Sequence, residues 1–156
     1  QFCKQQHIPC IINDDAEAAA LLQADGVHVG QSDCSIQQAR AILGKSACIG
    51  VSAHNLEEAQ MAQQGGADYI GCGAVFGSAT KQDATPLSRE TLRTICQGVS
   101  IPVVAIGGIT AQNVQQLAGS GIQGIAVVSA IFGQPDKTEA ARQMHQLANQ
   151  VCGGAQ

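Results

Sequence analysis

Tryptophan is absent from this chain, aromatic residues make up only 3% of it, and no run of basic residues occurs anywhere. With so few aromatics, any core must be aliphatic and closely turned, and a 45% hydrophobic content with 18 glycines fits that demand. A net charge of −4 without a basic stripe argues against nucleic-acid binding through a charged surface. An anionic ligand would have to be met locally, by a metal, a lysine or backbone N–H groups. No transmembrane stretch, signal peptide or lipidation motif is read in these residues, so no membrane partner is expected. The seven cysteines are odd in number and lack metal-motif spacing. Cys10, Cys48 and Cys72 lie in apolar runs, and the set reads as reduced core thiols of a cytoplasmic protein.

What is present is an alternation. Apolar, Val/Ile-rich runs at about 9–13, 26–30, 47–52, 68–73, 102–106 and 124–128 predict six strands. Their near-continuous apolarity is that of parallel strands covered on both faces. Between them, helical periodicity appears in Ala16/Ala19/Ala20/Leu22, in Ile36/Ala39/Arg40/Leu43 and in Leu56/Ala59/Ala62, with Asn55 as the expected N-cap of the third. Leu92/Ile95/Cys96 and Val114/Leu117 continue the series, the latter with Thr110 as its expected cap, and a last helix runs from about Thr138 to Val151. Ala24-Asp25-Gly26-Val27, Ala67-Asp68-Tyr69-Ile70 and Ile122-Gln123-Gly124-Ile125 form a weak internal repeat, each closing a helix and opening a strand. Strand–helix units of this kind give a parallel α/β sheet with right-handed crossovers. A closed (β/α)8 TIM barrel takes ~250 residues, ~200 at the low end. The expectation is therefore one barrel domain over 1–156 with about six of eight units, two being missing at the N-terminus.

In such a sheet the loops after the strands share one face, and ligands bind there. Asp14 and Asp33 follow successive strands and could share a hard cation; Mg²⁺ takes few carboxylates and fills its shell with water and phosphate oxygens. The bland readings are an N-cap for Asp14 and a turn residue for Asp33. Ser52 could donate to a phosphate or polar ring, and His54 could be an acid or base or a mere loop residue. The segment 71–81 is long and loop-like, with Ser78, Thr80 and Lys81; an ammonium there suits a pyrophosphate. Gly107-Gly108 lets backbone N–H groups approach an anion at a helix start, and Val128-Ser129 ends the last strand where barrels often bind phosphate.

Taken in order, Ile-Ile-Asn-Asp-Asp (11–15), Ala-Asp-Gly-Val-His-Val-Gly-Gln-Ser-Asp (24–33), Gly-Val-Ser-Ala-His (50–54), Gly-Ala-Asp-Tyr-Ile-Gly (66–71), Ser-Ala-Thr-Lys (78–81), Ile-Pro-Val-Val-Ala-Ile-Gly-Gly-Ile-Thr (101–110) and Val-Val-Ser-Ala-Ile (127–131) resemble the thiamine-phosphate synthase family. The resemblance covers residues from about 8 to 133. It implies a (β/α)8 barrel transferase of thiamine biosynthesis. Such an enzyme joins hydroxymethylpyrimidine pyrophosphate to thiazole phosphate and releases pyrophosphate with Mg²⁺ as cofactor. By motif, Asp14 and Asp33 would bind the metal, and Asn13, Ser52 and Lys81 the pyrimidine pyrophosphate, with Lys81 and Ser52 the catalytic pair. Ser78 and Thr80 would line the thiazole phosphate side, and Gly108, Val128 and Ser129 would hold that phosphate. The family's N-terminal Gln-Leu-Arg…Lys strand is not found here, Ala74 replaces a frequent Pro, and Gly77-Ser78 stands where Pro-Thr is common.

Alternatives at this level are a thiazole tautomerase of the same superfamily using His54, and a non-catalytic phosphate-binding fragment or regulatory protein. A homo-oligomer, or another segment completing the barrel, is compatible with the short length. A nucleotide-binding doubly wound fold is disfavoured, since no Gly-x-Gly-x-x-Gly comes after the first strand.

Overall fold

The sheet runs in sequence order. The computed structural model describes residues 1–77 and 87–152, and among these the strands are β1 (Ile11–Asn13), β2 (Gly26–Val29), β3 (Cys48–Ala53), β4 (Tyr69–Cys72), β5 (Val103–Ile106) and β6 (Gly124–Ala126). Every neighbouring pair is parallel, in the order β1-β2-β3-β4-β5-β6. A doubly wound sheet reverses its order partway, whereas a barrel adds each strand beside the last. The order is thus that of a TIM-type barrel with six of its units present.

The helices are α1 (Phe2–Gln5), α2 (Ala16–Leu21), α3 (Ile36–Leu43), α4 (Leu56–Gln64), α5 (Arg89–Gly98), α6 (Ser129–Phe132) and α7 (Lys137–Val151). Their buried contacts are mostly small: Ala16 and Ala19 on α2, Ala39 on α3, Ala59 and Ala62 on α4. Alanine lets a helix approach the sheet closely, and so a core forms with almost no aromatic side chain. Val27, Val29, Ile49, Ile70, Cys72, Val103 and Ala105 complete it from the strands. Asn55 caps α4 as expected, its side chain accepting from Glu58 N–H at 2.9 Å.

The unit after β5 differs from the expectation. Its helix is a single 3₁₀ turn, Val114–Leu117, with Gly119 and Gly121 just beyond it at φ 73° and 92°. Those left-handed residues end helical geometry at once. Thr110 does not cap it; Thr110 N–H donates to Asn113 Oδ1 at 2.8 Å, and Asn113 organises the turn. The short α6 was also not expected: the chain turns at Val128 and leaves β6 three residues long. The seven cysteines are free thiols; Cys72 is fully buried, Cys34, Cys96 and Cys152 are partly buried and pack against the core, and Cys3, Cys10 and Cys48 are partly exposed.

The weak repeat has a structural meaning. Asp25 Oδ2 accepts from Cys10 N–H at 2.7 Å, Asp68 Oδ2 from Ile49 N–H at 2.7 Å, and Gln123 Oε1 from Val103 N–H at 2.7 Å. The N–H of each returns a bond to the carbonyl of that same residue, at 2.9, 2.8 and 2.9 Å. One side chain therefore clamps each of these strand starts to the preceding strand. This stitching lies on the N-terminal face of the sheet, where barrels keep stability rather than chemistry.

Candidate active site at the C-terminal strand ends

Strand alternation sends one set of side chains to the helices and the other to the barrel interior. His28, Gly50, Ser52, Tyr69 and Gly71 belong to the interior set. A Cβ on Gly50 would stand 2.1 Å from Tyr69 Cζ, and one on Gly71 would stand 2.7 Å from His28 Cε1. The two glycines therefore make the space in which these rings lie. His28 bridges two hydroxyls, with Nε2 2.9 Å from Ser52 Oγ and Nδ1 3.0 Å from Tyr69 Oη. Gln31 Nε2 donates to the Ser52 carbonyl at 2.7 Å and ties the loop after β2 to the end of β3. Burial, then the neighbouring Cys48 thiol, pushes the Tyr69 phenol up to about 12.

Asn13 is exposed at the end of β1, in register with His28. Asp14 comes next at φ 66°, a left-handed conformation tolerated by Asp and Asn and disfavoured elsewhere. Its N–H donates to the His28 carbonyl at 2.7 Å. Asp14 does not cap α2; Asp15 does, accepting from Ala18 N–H at 2.8 Å. Asp33 closes its own turn, with Oδ2 accepting from Gly30 N–H at 2.7 Å, as its bland reading required. Asp14 lines a groove with Cys34, the residue after Asp33, and with Gln38 of α3.

Among the described residues no three His, Cys, Asp or Glu side chains gather as a metal site. Asp14 and Asp33, on adjacent loops, would offer at most a sparse, all-oxygen donor set. That chemistry suits Mg²⁺, which keeps most of its shell for water and phosphate. It does not suit zinc, which takes three or four nitrogen and sulfur ligands.

On the far side, Gly107 and Gly108 have φ 100° and 64°. A Cβ on Gly108 would stand 2.7 Å from the Phe76 carbonyl oxygen. The 74–77 segment bonds along this turn, Val75 N–H to the Ile106 carbonyl at 3.0 Å and Phe76 N–H to the Gly107 carbonyl at 3.1 Å. The Gly-Gly turn is therefore built for close approach of backbone, and it leads into the 3₁₀ turn rather than into a full helix. Val128 is 69% exposed and Ser129 opens α6. Thr110 and Ser129 line one groove, so the loops after β5 and β6 come together. Ser78, Thr80 and Lys81 lie outside the described residues.

His54 is occupied as a loop residue. Its Nδ1 is 2.9 Å from Glu58 Oε2, and its N–H donates to the same oxygen at 2.8 Å. Burial pushes the Glu58 carboxyl up, but the His54 contacts and Asn55 outweigh it and hold the group below its usual value. An acid–base role for His54 would require breaking this pair. The site residues that sequence reasoning passed over are His28, Tyr69 and Gln31. A polar residue at interior parity inside Gly-Val-His-Val, opposite two glycines, is the signal that could have found the first two.

The profile of the thiamine monophosphate synthase family matches residues 1–131. A thiamine-phosphate synthase of Ruminiclostridium cellulolyticum is 51% identical over 141 residues, covering 90% of this chain and 67% of that protein. One from Methanobrevibacter smithii is 49% identical over 132 residues, covering 85% of this chain and 63% of that protein. The solved structure of a thiamine phosphate pyrophosphorylase from Pyrococcus furiosus superposes with a TM-score of 0.89 at 37% identity, over 98% of this chain and 73% of that one. The chain spans about two thirds of the length of the curated relatives it matches.

Proposed function

The chain belongs to the thiamine monophosphate synthase family, and from that premise we propose that its site joins a hydroxymethylpyrimidine pyrophosphate to a thiazole phosphate, giving thiamine phosphate and pyrophosphate. The observation that carries this reading is the 51% identity to a thiamine-phosphate synthase over 90% of the chain. It is supported by the positions of Asn13, Asp14, Asp33, Ser52, Gly108, Val128 and Ser129, which lie at or just after the C-terminal ends of β1, β2, β3, β5 and β6 in one parallel sheet.

In the proposed reaction the bond between the pyrimidine methylene carbon and the pyrophosphate oxygen breaks first. The electron pair leaves with pyrophosphate, and a ring-stabilised cation remains, which the thiazole nitrogen captures with its lone pair. No protein nucleophile or strong base is needed, so positioning and charge neutralisation carry the rate. Asp14 and Asp33 would hold Mg²⁺, which when bound supplies positive charge to the pyrophosphate oxygens. Asn13 and Ser52 would contact the pyrimidine pyrophosphate. Lys81 would add an ammonium to the leaving group, with Ser78 and Thr80 beside the thiazole phosphate. Gly108, Val128 and Ser129 would receive that phosphate where the loops after β5 and β6 meet.

Among the described residues no helix is long and apolar enough to cross a membrane. The proposal includes a cytoplasmic setting, one domain over residues 1–156, small molecules as partners and the possibility of a homo-oligomer. The test is an assay of residues 1–156 for thiamine phosphate with both precursors, with and without Mg²⁺. Metal-dependent product supports the reading. Folded chain that binds thiazole phosphate without turnover rejects it for these residues and supports a binding role.

A further inference from the structure

The interior face carries a side-chain network of which the proposed reaction uses only Ser52. His28 on β2 reaches Ser52 on β3 through Nε2 at 2.9 Å and Tyr69 on β4 through Nδ1 at 3.0 Å. The His28 and Tyr69 ring centroids are 5.4 Å apart, and Gly50 and Gly71 make room for the two rings. A neutral imidazole carries its proton on one nitrogen and accepts at the other. The two hydroxyls compete for that accepting nitrogen. A phenol is the stronger donor, and burial keeps the proton on Tyr69 at neutral pH. With that preference Tyr69 Oη–H would donate to Nδ1, the ring proton would sit on Nε2, and Nε2–H would donate to Ser52 Oγ. Ser52 then accepts inside the barrel, and its own proton is left for whatever enters at the strand ends.

We infer that His28 is a positioning residue and that the Tyr69–His28–Ser52 chain sets the Ser52 hydroxyl as a hydrogen-bond donor toward an anionic, phosphate-bearing substrate. This rests on the proposed function only in assigning Ser52 to the substrate. The opposite polarity, Ser52 donating to Nε2 and Nδ1–H donating to Tyr69, would turn a lone pair toward the substrate oxygens and repel them.

Two measurements on the full chain test it. Ring ¹⁵N NMR of His28 near neutral pH reads the tautomer directly, without substrate. The expected result is a neutral ring protonated at Nε2, with the Nδ1 resonance moving to an unbonded position in Tyr69→Phe. A ring protonated at Nδ1, or at both nitrogens, overturns the inference whether or not the chain turns over substrate. In the active enzyme, Tyr69→Phe lowers kcat/KM about tenfold, equal to ~1.4 kcal/mol. It has no further effect in a Ser52→Ala background, because Tyr69 acts through Ser52. His28→Gln, which keeps an amide N–H near the Nε2 position, retains more activity than His28→Asn. Additive losses in the double variant would mean a merely structural Tyr69 and overturn it. Loss of the proposed reaction itself would instead show as inactive wild-type chain, with the NMR result still decisive.

Discussion

The Arg40 guanidinium and the Asp68 carboxylate meet at 3.0 Å below β3 and β4, at the end of the sheet opposite the candidate site. Arg40 also donates to the carbonyls of Lys45, Ala47 and Gly66, while the same Asp68 oxygen accepts from Ile49 N–H. An exposed ion pair alone contributes ~0.2–1 kcal/mol. Charge-assisted bonds to several backbone carbonyls contribute more, and Arg40 is the less exposed partner at 25%. Arg40→Met is expected to cost about 1–3 kcal/mol. Urea unfolding would show a lower midpoint with unchanged slope. Turnover of the folded fraction should not change, because the staple sits on the stability face of the sheet.

Gly108 illustrates a second kind of constraint. Its φ of 64° is left-handed, and a Cβ would meet the Phe76 carbonyl at 2.7 Å. Gly108→Ala therefore meets both backbone strain and a backbone clash, at a cost of about 1–3 kcal/mol. A lowered Tm together with a raised KM for the thiazole phosphate is the expected outcome. A normal KM would separate this turn from the substrate site.

The strands were legible because Val/Ile runs of parallel strands have few alternative uses, and all six appear within a few residues of their expected places. The clamp residues Asp25, Asp68 and Gln123 were visible only as a repeat, since their partners lie 15 to 20 residues earlier in the chain and sequence shows no pairing. The helix expected after Thr110 fails for a local reason: Gly119 and Gly121 stop it after one 3₁₀ turn. Asp14 and Asp15 could not be told apart as caps, because the choice is made by a single left-handed φ. His28 was hidden by its company, a lone polar residue in an apolar run whose partners Ser52 and Tyr69 come from two other strands.

The metal assignment can be separated from backbone roles by isosteric change. Asp33→Asn keeps an acceptor for Gly30 N–H, now at 2.7 Å from Oδ2, and removes only the charge. Asp14→Asn keeps a side chain that tolerates φ 66°. Each is expected to lower Mg²⁺-dependent turnover by about 10²-fold or more, with Tm close to wild type and a higher Mg²⁺ half-saturation. Full activity in both variants would reduce these aspartates to turn chemistry.

Cysteine reactivity should track burial. Burial, reinforced by Cys96 and Glu58, pushes the Cys72 thiol up to about 12, and burial pushes Cys96 up to about 11. Since the thiolate is the reactive form, both are expected to resist alkylation at about pH 8 in the native state. Cys3, Cys10 and Cys34, partly exposed, should label first. Mass spectrometry after a timed iodoacetamide pulse reads the order. Cys72 should label only at the rate of global unfolding, and early labelling would mean that β4 opens locally.

Glu58 gives the acid dependence its sign. Its carboxyl is held below the ordinary 4.5 in the folded chain, despite the opposing effect of burial, by His54 and Asn55. The stabilisation is therefore complete above about pH 4.5 and disappears as pH falls through the lower folded-state value. The His54 side chain is 58% exposed and that of Glu58 27%, so solvent screening limits the contribution to at most ~1 kcal/mol. Glu58→Gln should lower the urea midpoint at pH 7, and the gap to wild type should close on acidification as the wild-type carboxyl takes up its proton. A gap that stays constant down to pH 3 would assign the loss to side-chain packing at the start of α4 rather than to charge.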